Sequence, residues 1–518
     1  MIITRIRILS YSYVLIISIF LLSNVISCSN MMDSYTGTES APSGSMFVNN
    51  DDDYTTQRDV TLNMSMSGAT QMRFSNDGAT WSAWEDYANT CSWTLAEGHS
   101  MRHVYGQFKS ADGVVMEKHD GIVIYVEEKI MASDGDAGDC FGGYFTKGFH
   151  GSPLFSSFNG DIIYVGCMLD IIGEESAQGS VYKLIWENNN YYEEKFISPT
   201  YSGFGFFGCS VVTSTFGEEL FLGALKEGSS MGSSYYFDFK ENPPNVTRLT
   251  ADDGMGGDEY GVGVGMSGDG STLLVGSYQA DISPNGSQGA AYVYTRNNDS
   301  WLSQKLIASD ADVSDRFGWH VAVSRDASTL IVGAITGDGS VENSGCAYLY
   351  NKNGSNWVET YKFYPSDSSG SDRYGRIVAI SEDGRLIVIG AYGHSLSGSN
   401  VDGAVYVYRL NGSVWIEEKI TASDAAQYDC FGYSASVSAD GNKILVGALE
   451  CDVDGKTNQG AAYFYSWNGA SWDETKYIAS DGAANDLYGY SVHISGDGST
   501  LMVGAPNHDG QKGAVYVY

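Results

Sequence analysis

Aspartates recur in pairs five residues apart along most of this chain. The pairs are Asp134/Asp139, Asp253/Asp258, Asp310/Asp315, Asp367/Asp372, Asp424/Asp429 and Asp481/Asp486. Each stands just before an aromatic-glycine dipeptide. The stretch that should carry a seventh pair has Thr200 and Gly205 instead. Carboxylates so placed could cap turns by accepting backbone N–H bonds. They could also form a ring that attracts cations or basic partners. Their near-identical use in each unit favours capping, because a binding site breaks symmetry. The pairs from Asp253 to Asp486 stay candidates for binding. A second acidic cluster, Asp452-Val453-Asp454-Gly455-Lys456, follows Glu450. Asp452 and Asp454 are the candidate metal ligands, and calcium is the ion they could take. No Asp or Asn stands at the next alternate position, while calcium needs six to eight oxygens. A solvated polar loop is the simpler reading.

No constellation for catalysis emerges. There is no G-x-S-x-G elbow, no H-E-x-x-H pair and no P-loop. His320 and His493 sit at different offsets, two and four residues past the unit glycine, and His394 and His508 fall in loops. Two carboxylates for glycoside hydrolysis remain compatible with a chain holding 63 acids, since sequence gives no distances.

The elements that must position these residues are repeats. Tyr260-Gly261, Phe317-Gly318, Tyr374-Gly375, Phe431-Gly432 and Tyr488-Gly489 are 57 residues apart, and Phe207-Gly208 precedes them by 53. A second glycine, in a V-G-A-like triplet, falls at Gly166, Gly223, Gly276, Gly333, Gly390, Gly447 and Gly504. The two glycines are 15 apart, which places the first unit's start at His150-Gly151 and makes Phe141-Gly142 a duplicate. Each unit reads as four strands; in unit four these are residues 318–324, 329–334, 346–350 and 357–363. Ser-x-Asp turns at Ser267, Ser324, Ser381, Ser438 and Ser495 join the first two strands. Four-stranded units repeated seven times predict a seven-bladed β-propeller over residues 127–518. The chain stops at a third strand. Residues 127–133 match a fourth strand at six of seven positions against 417–423, so they are expected to close the last blade.

The units, in the form F-G-x-S-V, L-x-V-G-A and G-A-x-Y-V-Y, resemble the FG-GAP repeat of integrin alpha-subunit propellers and of many bacterial surface proteins. Unit seven, with Tyr488-Gly489-Tyr490-Ser491-Val492 and Val503-Gly504-Ala505-Pro506, matches best. The resemblance implies ligand binding on the face that carries the crossover and longer loops. Calcium loops found in some integrin turns are not matched, since the turns here read only Ser-Gly-Asp-Gly-Ser or similar.

Upstream of the propeller the chain is modular. Residues 1–27 read as a signal peptide, with Arg5 and Arg7 before an apolar run from Tyr13 to Leu22. Val25-Ile26-Ser27-Cys28 resembles a bacterial lipobox, which makes Cys28 the lipidation site and the outer membrane or cell surface the expected location. An ordinary cleaved signal would leave Cys28 a chance cysteine. Residues 28–54 read as a flexible tether. Residues 55–126 alternate with period two and carry Asp-Gly turns, as in Asn76-Asp77-Gly78. They resemble an Ig-like module of bacterial secreted proteins. The fold class is thus all-β, a small Ig-like β-sandwich followed by the propeller.

The bulk figures agree with this outline. A hydrophobic content of 43% excludes disorder, and 63 glycines with 8 prolines suit many strands joined by tight turns. With 63 acidic against 29 basic residues the net charge is −34, so nucleic acid is not an expected partner. The sequence points to a monomeric, non-enzymatic surface protein, membrane-anchored by lipid. Its propeller would mediate adhesion or bind a protein or glycan. A propeller enzyme acting on a glycan or lipid, or a structural protein without a ligand, are the alternatives.

Overall fold

The computed structural model describes residues 41–49, 54–55, 58–96, 100–124, 127–144, 151–173, 177–187, 190–200, 203–298, 300–395 and 401–518. The signal peptide, Cys28 and most of the tether lie outside the described residues.

Among the described residues, seven antiparallel four-stranded sheets follow one another in chain order. The fourth is representative: Phe317–Val323, Thr329–Ala334, Cys346–Asn353 and Asn356–Phe363 pair in that sequence. Its second strand is buried at every position, whereas its fourth alternates between exposed and covered. Inner strands lie between two neighbouring sheets and need apolar residues on both faces, while the outer strand needs only one. First strands lie beside one another in succession, and Ser491–Ile494 of the seventh sheet lies beside Leu154–Ser156 of the first. The ring is therefore closed. Its covalent ends meet in the seventh sheet, where Glu128–Ile130 pairs with Ala514–Val517: Ile130 opposes Val515 and Lys129 opposes Tyr516.

The glycines explain how sheets pack so closely. A Cβ on Gly276 would lie 2.0 Å from the carbonyl oxygen of Gly318 in the next sheet, and one on Gly333 would lie 2.2 Å from that of Gly375. The same contact joins Gly166 to Gly208, Gly223 to Gly261, Gly390 to Gly432, Gly447 to Gly489 and Gly504 to Gly142. The last of these corrects the sequence reading. Phe141-Gly142, not His150-Gly151, opens the first unit. Phe141 bridges Gly513 as Phe317 bridges Gly289, and its ring meets Tyr182 edge-on at 5.3 Å. The nine-residue insertion follows the aromatic-glycine pair instead of preceding it; His150 itself lies outside the described residues.

The N-terminal strands form two further sheets, one of three strands and one of five. Ser43–Val48, placed in the tether by its polar composition, is a strand of the three-stranded sheet. Its pairing with Asp59–Ser67 supplies the hydrogen bonds that composition cannot show. Asp59–Ser67 has the alternating burial expected of period two. Arg73 stacks between Trp81 and Trp84, with its Cζ 5.2 and 4.6 Å from the ring centres. The chain divides into two compact units, but not at residue 126. Among the described residues the smaller contains 41–46, Asn63–Cys91 and Tyr105–His119, and the others belong to the larger.

The glycine contacts give a direct test. Gly333→Ala should lower the unfolding free energy by at least about 2 kcal/mol, because backbone and not a flexible side chain must move. Denaturant unfolding reads this; parental stability would show that the sheets tolerate a methyl group there.

Candidate functional site

The aspartate pairs have two distinct structural roles. The first member of each accepts a hydrogen bond from a third-strand tyrosine: Asp134 from Tyr182, Asp253 from Tyr292, Asp310 from Tyr348, Asp367 from Tyr406, Asp424 from Tyr463 and Asp481 from Tyr516. All six O···O distances are 2.7–2.8 Å. Each is also paired with a fourth-strand lysine at 2.5–2.9 Å: Lys195, Lys305, Lys362, Lys419, Lys476 and Lys129 respectively. Tyrosine and lysine are cross-strand partners in register, as Tyr406 is with Lys419. Partial burial opposes ionisation of Asp367, but the Tyr406 and Lys419 hydrogen bonds outweigh it and hold its pKa below the ordinary value.

The second member of each pair is buried and caps the crossover turn. It accepts the backbone N–H three residues earlier, at 2.6–2.9 Å: Asp139 from Asp136, Asp258 from Met255, Asp315 from Asp312, Asp372 from Ser369, Asp429 from Ala426 and Asp486 from Ala483. Burial pushes the Asp315 carboxyl up to about 6. Each of these carboxylates is thus engaged by partners within the fold. His394 and His508, four residues past Gly390 and Gly504, each sit between the two members of a pair. Nδ1 of His394 is 3.2 Å from Asp372, and Nδ1 of His508 is 2.9 Å from Asp486. Their equal offset in sequence was the available signal.

Asp452 accepts the Asn458 backbone N–H at 2.8 Å, and Asp454 occupies a turn with φ of 50°. Among the described residues no group of three or more His, Cys, Asp or Glu could hold a metal ion.

Symmetry fails at another set of positions. The residue just before each aromatic-glycine pair has a φ of 53–59° in all seven units, so its backbone is posed identically each time. The side chains are unlike: Cys140, Phe206, Glu259, Arg316, Arg373, Cys430 and Leu487. So are those just after the pair, which include Cys209, Trp319, Arg376, Tyr433 and Tyr490. These residues gather where the first strands begin. One side is apolar, with Met168, Phe206, Cys209 and Leu225 clustered together. The other is basic and aromatic. Tyr278, Arg316, Trp319, Arg373, Arg376 and Tyr392 line a cavity of about 290 Å³. Arg376 is only 4% exposed, and its guanidinium lies 4.1 Å from the Tyr433 ring centre. Trp319 meets Tyr278 edge-on at 4.8 Å. Between the two sides, Tyr278 donates to Glu259 at 2.7 Å, and Lys226 pairs with the same carboxylate. Sequence reasoning passed over these arginines because it compared the conserved landmarks of the units and not the variable residues beside them.

A family model described as FG-GAP repeat matches residues 244–294, 301–350, 357–408, 415–465 and 472–518. The chain carries FG-GAP repeats. No curated protein matches it. Among solved structures it is similar to a putative 6-phosphogluconolactonase from Bacteroides uniformis, at 10% identity and a TM-score of 0.41, covering 80% of this chain and 98% of that one. It is also similar to the β-propeller domain of the trilobed protease from Pyrococcus furiosus, at 9% identity and a TM-score of 0.40, covering 69% and 90%. A third, oligogalacturonate lyase from Vibrio parahaemolyticus, is 12% identical with a TM-score of 0.41, covering 76% and 96%.

Within the ring, His320 and His493 face a narrow central cavity of about 130 Å³. The Val378 N–H donates to Nδ1 of His320, so Nε2 carries the proton and donates to Ser152 at 2.9 Å. The His493 ring lies tilted against Phe155, with centres 4.1 Å apart. Burial lowers both pKa values to about 3, helped by Arg376 near His320 and Arg325 near His493. An unfolded histidine protonates near 6.5, so below that pH the unfolded state binds more protons. The contribution is complete above pH 6.5 and is lost as pH falls toward 3. In His320→Gln the slope of unfolding free energy between pH 6 and 4 should be shallower by about 1.4 kcal/mol per pH unit. Urea unfolding at stepped pH measures it, and an unchanged slope would mean that His320 is protonated when folded.

Proposed function

We propose that this is a non-enzymatic binding protein whose propeller holds its ligand at the channel mouth, on the face of the crossover loops. The reading rests on one observation: seven equivalent, identically posed positions carry unlike side chains there, while the acidic network around them repeats with little change. Packing alone gives no reason to place Arg316, Arg373 and Arg376 around aromatic rings on one side of the mouth. The signal-like N-terminus and Cys28 support export and lipid anchoring at the cell surface, where such a mouth would meet host or envelope components. An adhesion role follows from that location.

An enzyme acting on a glycan is the second reading. Glu259, buried at the mouth and bonded to Tyr278 and Lys226, is the observation that favours it. A screen of the full chain against glycans and matrix proteins separates the readings. Bound ligand should be recovered intact, and Tyr392→Ala should weaken binding at least about tenfold. Val414→Ser, on an exposed outer strand, should leave it unchanged. Binding indifferent to Tyr392 would overturn the assignment to the mouth, and turnover abolished by Glu259→Gln would establish the enzyme.

A further inference from the structure

We infer that the mouth binds the end of an acidic saccharide, a sugar ring bearing a carboxylate, between Arg316, Arg373 and the aromatic wall of Tyr278, Trp319 and Tyr392. This inference rests on the reading of the mouth as the ligand site and specifies its chemistry.

Charge is the first argument. In a chain of net charge −34, arginines converge at one cavity. In the crossover network the lysines are used internally, the first aspartate of a pair taking a lysine of its own sheet. Among the described residues, neither Arg316 nor Arg373 has a carboxylate within ion-pair distance. Arg316 stands with its Cζ 5.8 Å from the Trp319 ring centre, and both Arg373 and Arg376 lie close enough to Tyr392 to favour its ionised form against the effect of burial. Two half-buried guanidinium forks without an anion, at the rim of an open cavity, form a site for one.

The kind of anion follows from the walls. Guanidinium forks bind carboxylates through paired, parallel hydrogen bonds, which point charges on lysine cannot reproduce. The remaining wall is ring surface, which offers apolar contact to a flat ligand of similar size; an extended acidic peptide would leave these faces uncovered. A cavity of about 290 Å³ is at the small end of ligand sites and suits one or two sugar rings. A long polyanion is disfavoured, since the rest of the surface repels it. The ligand is therefore a chain end or a short oligosaccharide.

The test is calorimetry on the full chain with a glucuronic acid disaccharide, its uncharged methyl ester, inorganic phosphate and a Glu-rich peptide. The acid should bind at least about tenfold more tightly than the ester, and more tightly than phosphate or peptide. Arg373→Ala should remove this preference with the melting temperature unchanged, because Arg373 is only half-buried. Arg373→Lys should restore part of it. Equal binding of acid and ester, tighter binding of phosphate or peptide, or an Arg373→Ala variant that keeps the preference would each overturn the inference. A neutral glycan or protein that binds and is lost on Tyr392→Ala would do so while leaving the mouth as the ligand site. Binding that ignores both Tyr392 and Arg373 would remove the mouth reading as well.

Discussion

Seven glycine-to-glycine contacts hold the ring in register. In each, the glycine of a V-G-A-like triplet lies under the carbonyl of the aromatic-glycine pair in the next sheet, at a distance no Cβ could accept. The contact fixes how near two sheets stand, and hence how their buried strands interlock. It also fixes where the residues flanking each glycine pair point. Loops can vary in length without disturbing it. The short second unit and the insertion after Phe141-Gly142 are both absorbed outside these contacts.

That constraint separates two kinds of side chain. Those that repeat with the glycines support the fold. The aromatic of each pair meets a third-strand tyrosine edge-on, as Phe431 meets Tyr463 at 5.4 Å, and the tyrosine hydroxyl passes to the crossover aspartate and its lysine. Much of the chain's acidity is thereby engaged locally. The side chains that do not repeat are carried on the same backbone positions, so a rigid frame presents a varied surface. A ring of unlike residues on identical backbones is an economical way to build specificity, because changing one of them need not disturb the contact beneath it.

The strand pattern, repeat and FG-GAP resemblance were legible because hydrophobic alternation and glycine spacing are local and repeated. The pairing of Glu128–Ile130 with Ala514–Val517 was legible for the same reason: residues 127–133 keep the pattern of a fourth strand at a distance of nearly 400 residues. Two other features were not. The first unit was assigned to His150-Gly151 by counting back a constant spacing, which an insertion defeats; only the Gly504–Gly142 contact resolves it. The arginines of the mouth come from two units, and nothing in linear order shows that Arg316 and Arg376 flank one tryptophan. Landmarks that repeat reveal a fold, whereas a site built from exceptions needs three dimensions to be seen.

The second sheet shows which requirement within the network is primary. It lacks the aspartate pair, yet Tyr235 still opposes a cation across the strands, here Arg248 in place of lysine. Its hydroxyl is taken by Glu227, fully buried, at 2.9 Å, and by Thr200 at 2.7 Å, and Arg248 pairs with Glu227. A carboxylate has been supplied from a different loop to meet the same tyrosine and a larger cation. What persists is the buried hydroxyl and the charge beside it, which cost free energy if left without partners. The aspartate pair is therefore one solution to a demand set by the tyrosine, which explains both its repetition in six units and its replacement in the second.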